Sequence, residues 1–178
     1  LRRLKDREAG YLSGGERQRV GIARAIVVEP SVLICDEVTS SLDASTAGQI
    51  LDLLAALQRE RGHACLFISH DLSTVRRASH RVAVMYLGRI VESGPADRVL
   101  RDPHHPYARA LLDAWPARHP AGRREGRGPR GEVPSAIALP SGCRFHTRCR
   151  GALERCRREE PPAVERGPGH VSWCFLES

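Results

Sequence analysis

Apolar residues recur at helical spacing in two stretches of the first half of the chain. The first stretch lies between Ser13 and Pro30, and its apolar positions are Val20, Ile22, Ala23, Ile26 and Val27. Ser13 and Glu16 have the spacing of a capping box, which predicts that a helix begins there. The second stretch covers residues 44–60 and ends before Gly62; its apolar positions are Ile50, Leu51, Leu53, Leu54 and Leu57. Both patterns predict amphipathic helices.

Two short runs without polar alternation predict strands. Residues 32–35 and 64–68 are continuously apolar, as is typical of strands in a parallel sheet that is covered on both faces. Polar side chains follow each run, with Asp36 and Glu37 after the first and His70 after the second. Because ligands bind beyond the carboxyl ends of parallel strands, we expect these side chains to take part in chemistry.

The remaining pattern completes an α/β chain. Alternation of helices and strands predicts an α/β fold with a mainly parallel sheet. A pair of strands joined through Gly88 has the pattern of a hairpin. Arginine, glycine and proline dominate residues 116–140, which predicts a linker. The other short elements predicted are a helix at 72–78, strands at 82–87 and 90–91, and helices at 96–102 and 106–115.

Composition narrows the class of protein. The 178 residues carry a net charge of +7, and Lys5 is the only lysine. Aromatic residues make up 4% of the chain, so the arginines lack the stacking partners of a surface that binds nucleic acid. No apolar run approaches the roughly 20 residues of a membrane span, and the first residues lack a secretory signal. We therefore expect no nucleic-acid partner, and a protein that is cytosolic or held at a membrane by other subunits.

The turn Ser13-Gly14-Gly15 is a candidate anion site. Glycines allow a backbone to approach a ligand closely, and the positive end of a helix dipole lies at the same place. The serine adds a hydroxyl donor. An ordinary capped helix start explains the same residues, so the turn alone leaves both interpretations open.

Carboxylates and a histidine at element ends are candidates for phosphate chemistry. Asp36 is suited to hold Mg²⁺, directly or through water, and Glu37 is suited to accept a proton from an attacking water. A solvated acidic turn is the alternative for this pair. Asp43 has the position of a helix N-cap. His70 fits either a phosphate contact or a structural role.

The six cysteines form two groups. Cys35 and Cys65 lie in the apolar runs and are expected to be core residues. The other four have the spacing C-x5-C-x6-C-x17-C; they are Cys143, Cys149, Cys156 and Cys174. Without an export signal, a metal site is favoured over disulfides. Irregularly spaced thiolates fit a [4Fe–4S] cluster, with Zn²⁺ or no metal as alternatives.

Four motifs follow one another in the first part of the chain. They are Leu12-Ser13-Gly14-Gly15-Glu16-Arg17-Gln18, Val32-Leu33-Ile34-Cys35-Asp36-Glu37, Ser41-Leu42-Asp43 and Ser69-His70-Asp71. In this order they resemble the second half of an ATP-binding cassette (ABC) ATPase. The resemblance implies the C-terminal part of a P-loop NTPase-type nucleotide-binding domain that uses ATP and Mg²⁺.

The same resemblance implies a role for each motif. The implied roles are contact with ATP on the opposite subunit for Ser13, Gly14, Gly15 and Glu16, support of Mg²⁺ for Asp36, general base for Glu37, placement of the two nucleotide sites for Asp43, and contact with the γ-phosphate for His70. Val38 stands where the family often has proline. That departure leaves both carboxylates in place.

The later part of the chain resembles one branch of this family. His105-Pro106-Tyr107 and the four-cysteine tail resemble the dipeptide/oligopeptide (or nickel) importers of bacteria. The resemblance implies a peripheral protein on the cytoplasmic face of the membrane, with a second ATPase subunit, permease subunits and, indirectly, an extracytoplasmic substrate-binding protein as partners. The predicted segments are a partial ATPase domain at 1–95, helices and a linker at 96–140, and a four-cysteine extension at 141–178.

A glycine-rich loop ending in Gly-Lys-Ser/Thr is missing from the 178 residues. Such a Walker A loop cradles the phosphates of ATP in this class of ATPase. We therefore expect a chain that is inactive alone and completes a site with a P-loop from another polypeptide. The alternative is a non-catalytic interaction or regulatory half-domain with a metal-bound tail. ATPases of the DNA-repair or translation type are disfavoured, because they lack this tail.

Overall fold

The computed structural model describes residues 8–115 and 129–176. The chain divides into two compact units, Leu1–Ala78 and Ser79–Ser178. The second unit contains residues of all three segments that the sequence predicts. The boundaries of those segments as functional domains remain a prediction. Within the described ranges, no helix is both long and apolar enough to cross a membrane.

The first unit contains the two predicted amphipathic helices. Helix α1 spans Gly14–Ile26, and the predicted capping box forms at its start. The Ser13 N–H donates to Glu16 Oε2 at 2.8 Å, and the Glu16 N–H donates to Ser13 Oγ at 3.3 Å. Helix α2 spans Ala44–Arg61 and ends at Gly62, whose φ of 72° is the left-handed conformation that terminates many helices. Both helices are confirmed; α2 ends within one residue of its prediction, whereas α1 ends at Ile26, four residues before Pro30.

Strands β1 (Val32–Asp36) and β2 (Ala64–Ile68) form a parallel pair in register. One face of the pair packs on the two helices, and its core is formed by Ile22, Leu33, Cys35, Ile50 and Leu54. The opposite face is exposed. The expectation that both faces are covered is therefore wrong for the described residues, because the elements that follow each strand pack on one side only. The short helix α3 (Leu72–Ala78) completes the unit.

The second unit is built on an antiparallel sheet, so the predicted mainly parallel sheet is wrong for this part. The strands are β3 (Arg81–Tyr86), β4 (Arg89–Pro95), β5 (Ala163–Gly167) and β6 (His170–Trp173). Their order in the sheet is β3-β4-β6-β5. Leu87 and Gly88, both with positive φ, form the two-residue turn between β3 and β4, which makes the strands run antiparallel. This confirms the predicted hairpin.

Two short helices and the tail share one core with this sheet. Helices α4 (Ala96–Arg101) and α5 (Pro106–Asp113) agree with the prediction. The core consists of Val84, Tyr86, Val91, Val99, Ala108 and, from the tail, Phe145. Of the predicted linker, residues 129–140 contain no helix or strand, and residues 116–128 lie outside the described part of the chain.

A buried carboxylate connects the tail strand to the rest of the second unit. Glu92 on β4 is fully buried. Its oxygens accept the N–H groups of His104 at 2.9 Å and His105 at 2.8 Å. His170 on β6 places Nε2 2.7 Å from Glu92 Oε1. This one side chain therefore connects β4, the segment before α5 and β6 by hydrogen bonds.

Candidate functional site

The turn formed by Ser13, Gly14 and Gly15, called the signature turn below, packs against the start of α2 and the residue Leu42 before it. A Cβ on Gly15 would lie 2.5 Å from Thr46 Cγ2, and one on Gly14 would lie 3.1 Å from Leu42 Cδ2. The sequence suggested glycines for close approach of a ligand, whereas the structure shows that Gly15 is also required for packing. Ser13 is exposed, and its side chain caps the helix. The turn and the loop that contains Asp43 are thus held together as one surface.

Asp43 lies in that loop as the N-cap of α2. Its Oδ1 accepts the Thr46 N–H at 3.0 Å. Hydrogen bonds from Thr46 lower the pKa of this exposed carboxyl below its ordinary value of 3.8. The capping role expected from the sequence is confirmed, while its role between nucleotide sites stays a prediction.

The carboxyl ends of β1 and β2 bring Glu37 and His70 together. The strand register places Asp36 beside Ile68, and the Glu37 N–H donates to the Ile68 carbonyl at 2.9 Å. Glu37 has a φ of 48°, which is rare for a residue other than glycine. Asp36 is exposed at the end of β1, where a Mg²⁺ ligand would be accessible. Pairing of β1 with β2 therefore brings Asp36, Glu37 and His70 together at the carboxyl ends of the two strands.

One oxygen of Glu37 engages His70 and the other is unpartnered. Glu37 Oε1 lies 2.8 Å from His70 Nδ1 and accepts the His70 N–H at 3.2 Å. The buried atom Glu37 Oε2 has no hydrogen-bond partner within residues 8–115 and 129–176. A buried acceptor without a partner is costly, and such an atom marks a place where a ligand or water binds.

The Glu37 carboxylate changes the titration of the histidine. Its hydrogen bond with His70, and then its negative charge, raise the pKa of His70 above the ordinary value of 6.5. Asp71 adds a smaller contribution of the same sign. Asp71 also accepts the Thr74 hydroxyl at 2.7 Å at the start of α3. Sequence reasoning gave Asp71 no role of its own, although an aspartate just before a helix is the pattern of an N-cap.

The four tail cysteines are free thiols, and three of them have raised pKa values. Burial is the main cause, and it raises the pKa of Cys143 to about 11. The thiols of Cys156, Cys174 and Cys149 make smaller contributions to this raised pKa, so the four sulfurs lie within electrostatic range of one another. Among the described residues, no group of three or more His, Cys, Asp or Glu side chains is arranged to hold a metal ion. The predicted metal centre is therefore not formed in this structure.

Two family models match the chain. The model described as "ABC transporter" matches residues 1–40. The model described as "Oligopeptide/dipeptide transporter, C-terminal region" matches residues 91–156.

Curated relatives match over nearly the whole chain. A probable peptide ABC transporter ATP-binding protein, y4tS of Sinorhizobium fredii, is 50% identical over 98% of this chain and 50% of its own length. The dipeptide transport ATP-binding protein DppF of Haemophilus influenzae is 44% identical over 96% of this chain and 52% of its own length. The chain thus spans about half the length of the curated relatives it matches.

Solved structures agree with these matches. The ADP conformation of MJ1267, an ATP-binding cassette of an ABC transporter, is similar with a TM-score of 0.55 and 29% identity. That match covers 64% of this chain and 44% of the solved chain.

Proposed function

We propose, from the premise that this chain belongs to the ATP-binding proteins of ABC transporters, that it forms part of an ATP-hydrolysing subunit. The reaction would drive import of dipeptides, oligopeptides or nickel across the cytoplasmic membrane. The relatives y4tS and DppF are described as peptide and dipeptide transport proteins, and this supports the peptide class. The comparisons do not favour a non-catalytic half-domain.

The observation that carries the proposal is the Glu37–His70 pair with its unpartnered oxygen. Glu37 Oε2, which has no hydrogen-bond partner among the described residues, is the carboxylate oxygen left to accept a proton. The water oxygen attacks the γ-phosphorus, its proton passes to Glu37 Oε2, and the bond from the γ-phosphorus to the bridging oxygen breaks to leave ADP. His70, whose Nδ1 lies 2.8 Å from Glu37 Oε1, is a positioning residue that would contact the γ-phosphate.

Asp36 is the residue that would hold Mg²⁺. Its exposed carboxylate at the strand end is the kind of hard oxygen ligand that this cation prefers. The cation supplies neutralisation of charge on the phosphate oxygens. Asp36 therefore contributes binding, and Glu37 contributes proton transfer.

The signature turn is proposed to meet nucleotide held by a second ATPase subunit. Ser13, Gly14, Gly15 and Glu16 would provide the turn, and Asp43 would align it with the partner's site. The packing of Gly15 on Thr46 supports this proposal, because it holds the turn and the Asp43 loop in one surface. The wider partners are proposed to be membrane permease subunits and, indirectly, a substrate-binding protein, with the ATPase on the cytoplasmic face.

Glu37→Gln tests the catalytic proposal in a subunit that combines this sequence with a P-loop. Turnover is expected to fall by about a thousandfold, because the amide accepts no proton while shape and nucleotide contacts remain. ATP binding is expected to stay unchanged. Measurement of phosphate release and of ATP affinity separates the two. Glu60→Gln, an exposed change on α2, is the matched control and should leave both values as they were; hydrolysis retained in Glu37→Gln contradicts the assignment.

The tail cysteines are proposed to bind a metal, with an iron–sulfur cluster ahead of Zn²⁺. Backbone N–H groups two residues onward hydrogen-bond the sulfurs of Cys143, Cys149 and Cys174, from Phe145, Gly151 and Leu176 respectively. Such donors lower thiol pKa values and stabilise sulfur that is negatively charged. Anaerobic purification followed by an absorption spectrum and metal analysis tests the proposal. Visible absorption with iron and sulfide supports a cluster, stoichiometric zinc supports the alternative, and metal-free protein contradicts both.

A further inference from the structure

A cavity in the second unit lies between helix α5 and the four-cysteine tail. Its volume is about 340 Å³, near the lower end of the range of pockets that hold small molecules, roughly 300–1,000 Å³. Helix α5 contributes Pro106, Arg109, Ala110 and Asp113, whose spacing of i, i+3, i+4 and i+7 places them on one helix face. The tail supplies most of the remaining lining. Two segments that are distant in the sequence therefore form one concave surface.

Positive charge dominates this cavity. The charged side chains that line it are three arginines and one aspartate: Arg109, Arg148, Arg150 and Asp113. The guanidinium group of Arg109 donates through Nε to the Pro103 carbonyl at 2.8 Å, and that of Arg148 donates through Nε to the Arg130 carbonyl at 3.3 Å. Among the described residues these are the only hydrogen bonds of the two guanidinium groups, so their terminal N–H groups are available to an acceptor. Arginine presents such donors as a planar fork that matches a carboxylate or a phosphate.

The rest of the lining carries no charge and is mostly apolar. Phe145 is only 2% exposed, and its ring centroid lies 5.2 Å from that of Tyr86 and 5.5 Å from that of Tyr107. Leu176 approaches the tail backbone so closely that a Cβ on Gly151 would lie 3.0 Å from Leu176 Cδ1. Apolar walls with a few convergent polar groups are typical of sites for small organic molecules.

Both walls are held in place by contacts that need no ligand. Ala108 and Leu112 anchor α5 in the core, where they are 1% and 2% exposed. In the tail, the His146 N–H donates to the Cys143 carbonyl at 2.9 Å, and the Arg148 N–H donates to the Phe145 carbonyl at 3.0 Å. A site that is formed in advance loses little of its binding free energy to ordering of the protein.

We propose that this cavity binds a small organic carboxylate with a compact apolar body. Arg109 and Arg148 hold the carboxylate, and Phe145 and Leu176 contact the apolar body. A bare anion such as inorganic phosphate would use the arginines but leave the apolar wall in contact with water, so it matches only part of the lining. The site lies within the second unit, and the inference stands whether or not Glu37 and His70 act in hydrolysis.

Amide spectra of the ¹⁵N-labelled 178-residue chain test the site with four probes, which are N-acetyl-leucine, N-acetyl-leucinamide, acetate and inorganic phosphate. N-acetyl-leucine is expected to bind with a Kd of about a millimolar, as is usual for a ligand of this size. It should shift the amide signals of residues 106–113 and 145–151. The amide lacks the negative charge and acetate lacks the apolar body, so each is expected to bind at least about tenfold more weakly, as is phosphate.

Two variants identify the groups that hold the carboxylate. Arg109→Gln and Arg148→Gln are each expected to weaken the binding of N-acetyl-leucine about tenfold, because each removes a charge-assisted hydrogen bond. Arg157→Gln is the matched control, since Arg157 is exposed, pairs with Glu154 at 3.7 Å and does not line the cavity; it should leave the Kd unchanged.

The probes decide the outcome even if a variant fails to fold, because they need only the unaltered chain. Absence of N-acetyl-leucine binding, or shifts confined to amides outside the two segments, overturns the proposal. Equal binding of the amide overturns the role of the arginines. Phosphate that binds as tightly as N-acetyl-leucine overturns the organic ligand class, since the apolar wall then contributes nothing.

Discussion

At the scale of single residues, Glu37 combines an unfavourable backbone with an incomplete set of hydrogen bonds. Its positive φ costs a residue with a Cβ about 1–2 kcal/mol. The bond from its N–H to Ile68 and the contact of Oε1 with His70 hold this conformation. Strain of this kind persists where the surroundings over-determine it, and it clusters at functional sites. The conformation leaves Oε2 without a partner, which is what a proton acceptor requires.

The titration of His70 follows from the same contact. A raised pKa means that the protonated ring is favoured by the fold; this stabilisation is complete below pH 6.5 and is lost as the pH rises through the higher, folded pKa. Because His70 is exposed, the effect is expected to be seen in its titration rather than in global stability. Nuclear magnetic resonance of the ring should give a midpoint above 6.5 in the unaltered protein and a lower midpoint in Glu37→Gln. Equal midpoints would show that Glu37 does not set the charge of His70.

At the scale of elements, the contacts of Glu92 with His104, His105 and His170 explain how strand β6 is attached to the rest of the second unit. Glu92 lies on β4, the histidine pair precedes α5, and His170 lies on β6. Burial lowers the pKa of His105 to about 4, so its ring is neutral near pH 7 and its Nδ1 accepts the Tyr107 N–H at 3.1 Å. The His-Pro-Tyr motif is thus a helix start fixed by a buried carboxylate. The strand predicted from the sequence ended at residue 91, and the sequence assigned no role to Glu92.

Glu92→Ala is expected to destabilise the second unit by about 3–5 kcal/mol, because two backbone N–H groups and His170 lose their buried acceptor. Thermal or urea denaturation measures this loss, with protease sensitivity near β6 as a local readout. Glu159→Ala, at an exposed position, is the matched control and should change stability by less than about 0.5 kcal/mol. If both variants unfold alike, the carboxylate does not hold the tail strand.

At the scale of the whole molecule, the chain carries the residues proposed to act on a phosphate, whereas its 178 residues lack the loop that binds phosphates in this class of ATPase. Glu37 and His70 meet at a sheet edge, and the signature turn is intact. The 178 residues contain no Gly-Lys-Ser/Thr, whose backbone and lysine supply most of the affinity for nucleotide phosphates. The proposed binding and hydrolysis of ATP therefore require a P-loop that these 178 residues do not contain.

Purified by itself, the 178-residue chain is expected to show no ATP binding in the micromolar range. Titration of a fluorescent ATP analogue measures this, and the complex with a cassette half that contains a P-loop is the positive control. Micromolar binding by the chain alone would contradict the assignment of the nucleotide contacts to another segment.

The sequence alone determined the local elements of this chain and the positions of Glu37 and His70 at strand ends. Periodicity located both long helices, and the capping box and Gly62 located their ends, because these signals act within a few residues. The motifs placed Glu37 and His70 at strand ends, and the fold bears this out. Short-range patterns of this kind do not depend on distant contacts.

Only the tertiary structure decided which distant groups meet and which faces remain uncovered. Sequence cannot show that Glu37 Oε2 is left without a partner, that Gly15 packs on Thr46, or that Glu92 receives His170 from 78 residues away. It predicted a mainly parallel sheet because it did not find β5 and β6, whose short runs have few apolar residues. The apolar runs of β1 and β2 correctly indicated strands, but the expectation that both of their faces are covered is wrong for the described residues. The structure decided that one of these faces is exposed among the described residues, because burial depends on contacts between distant segments.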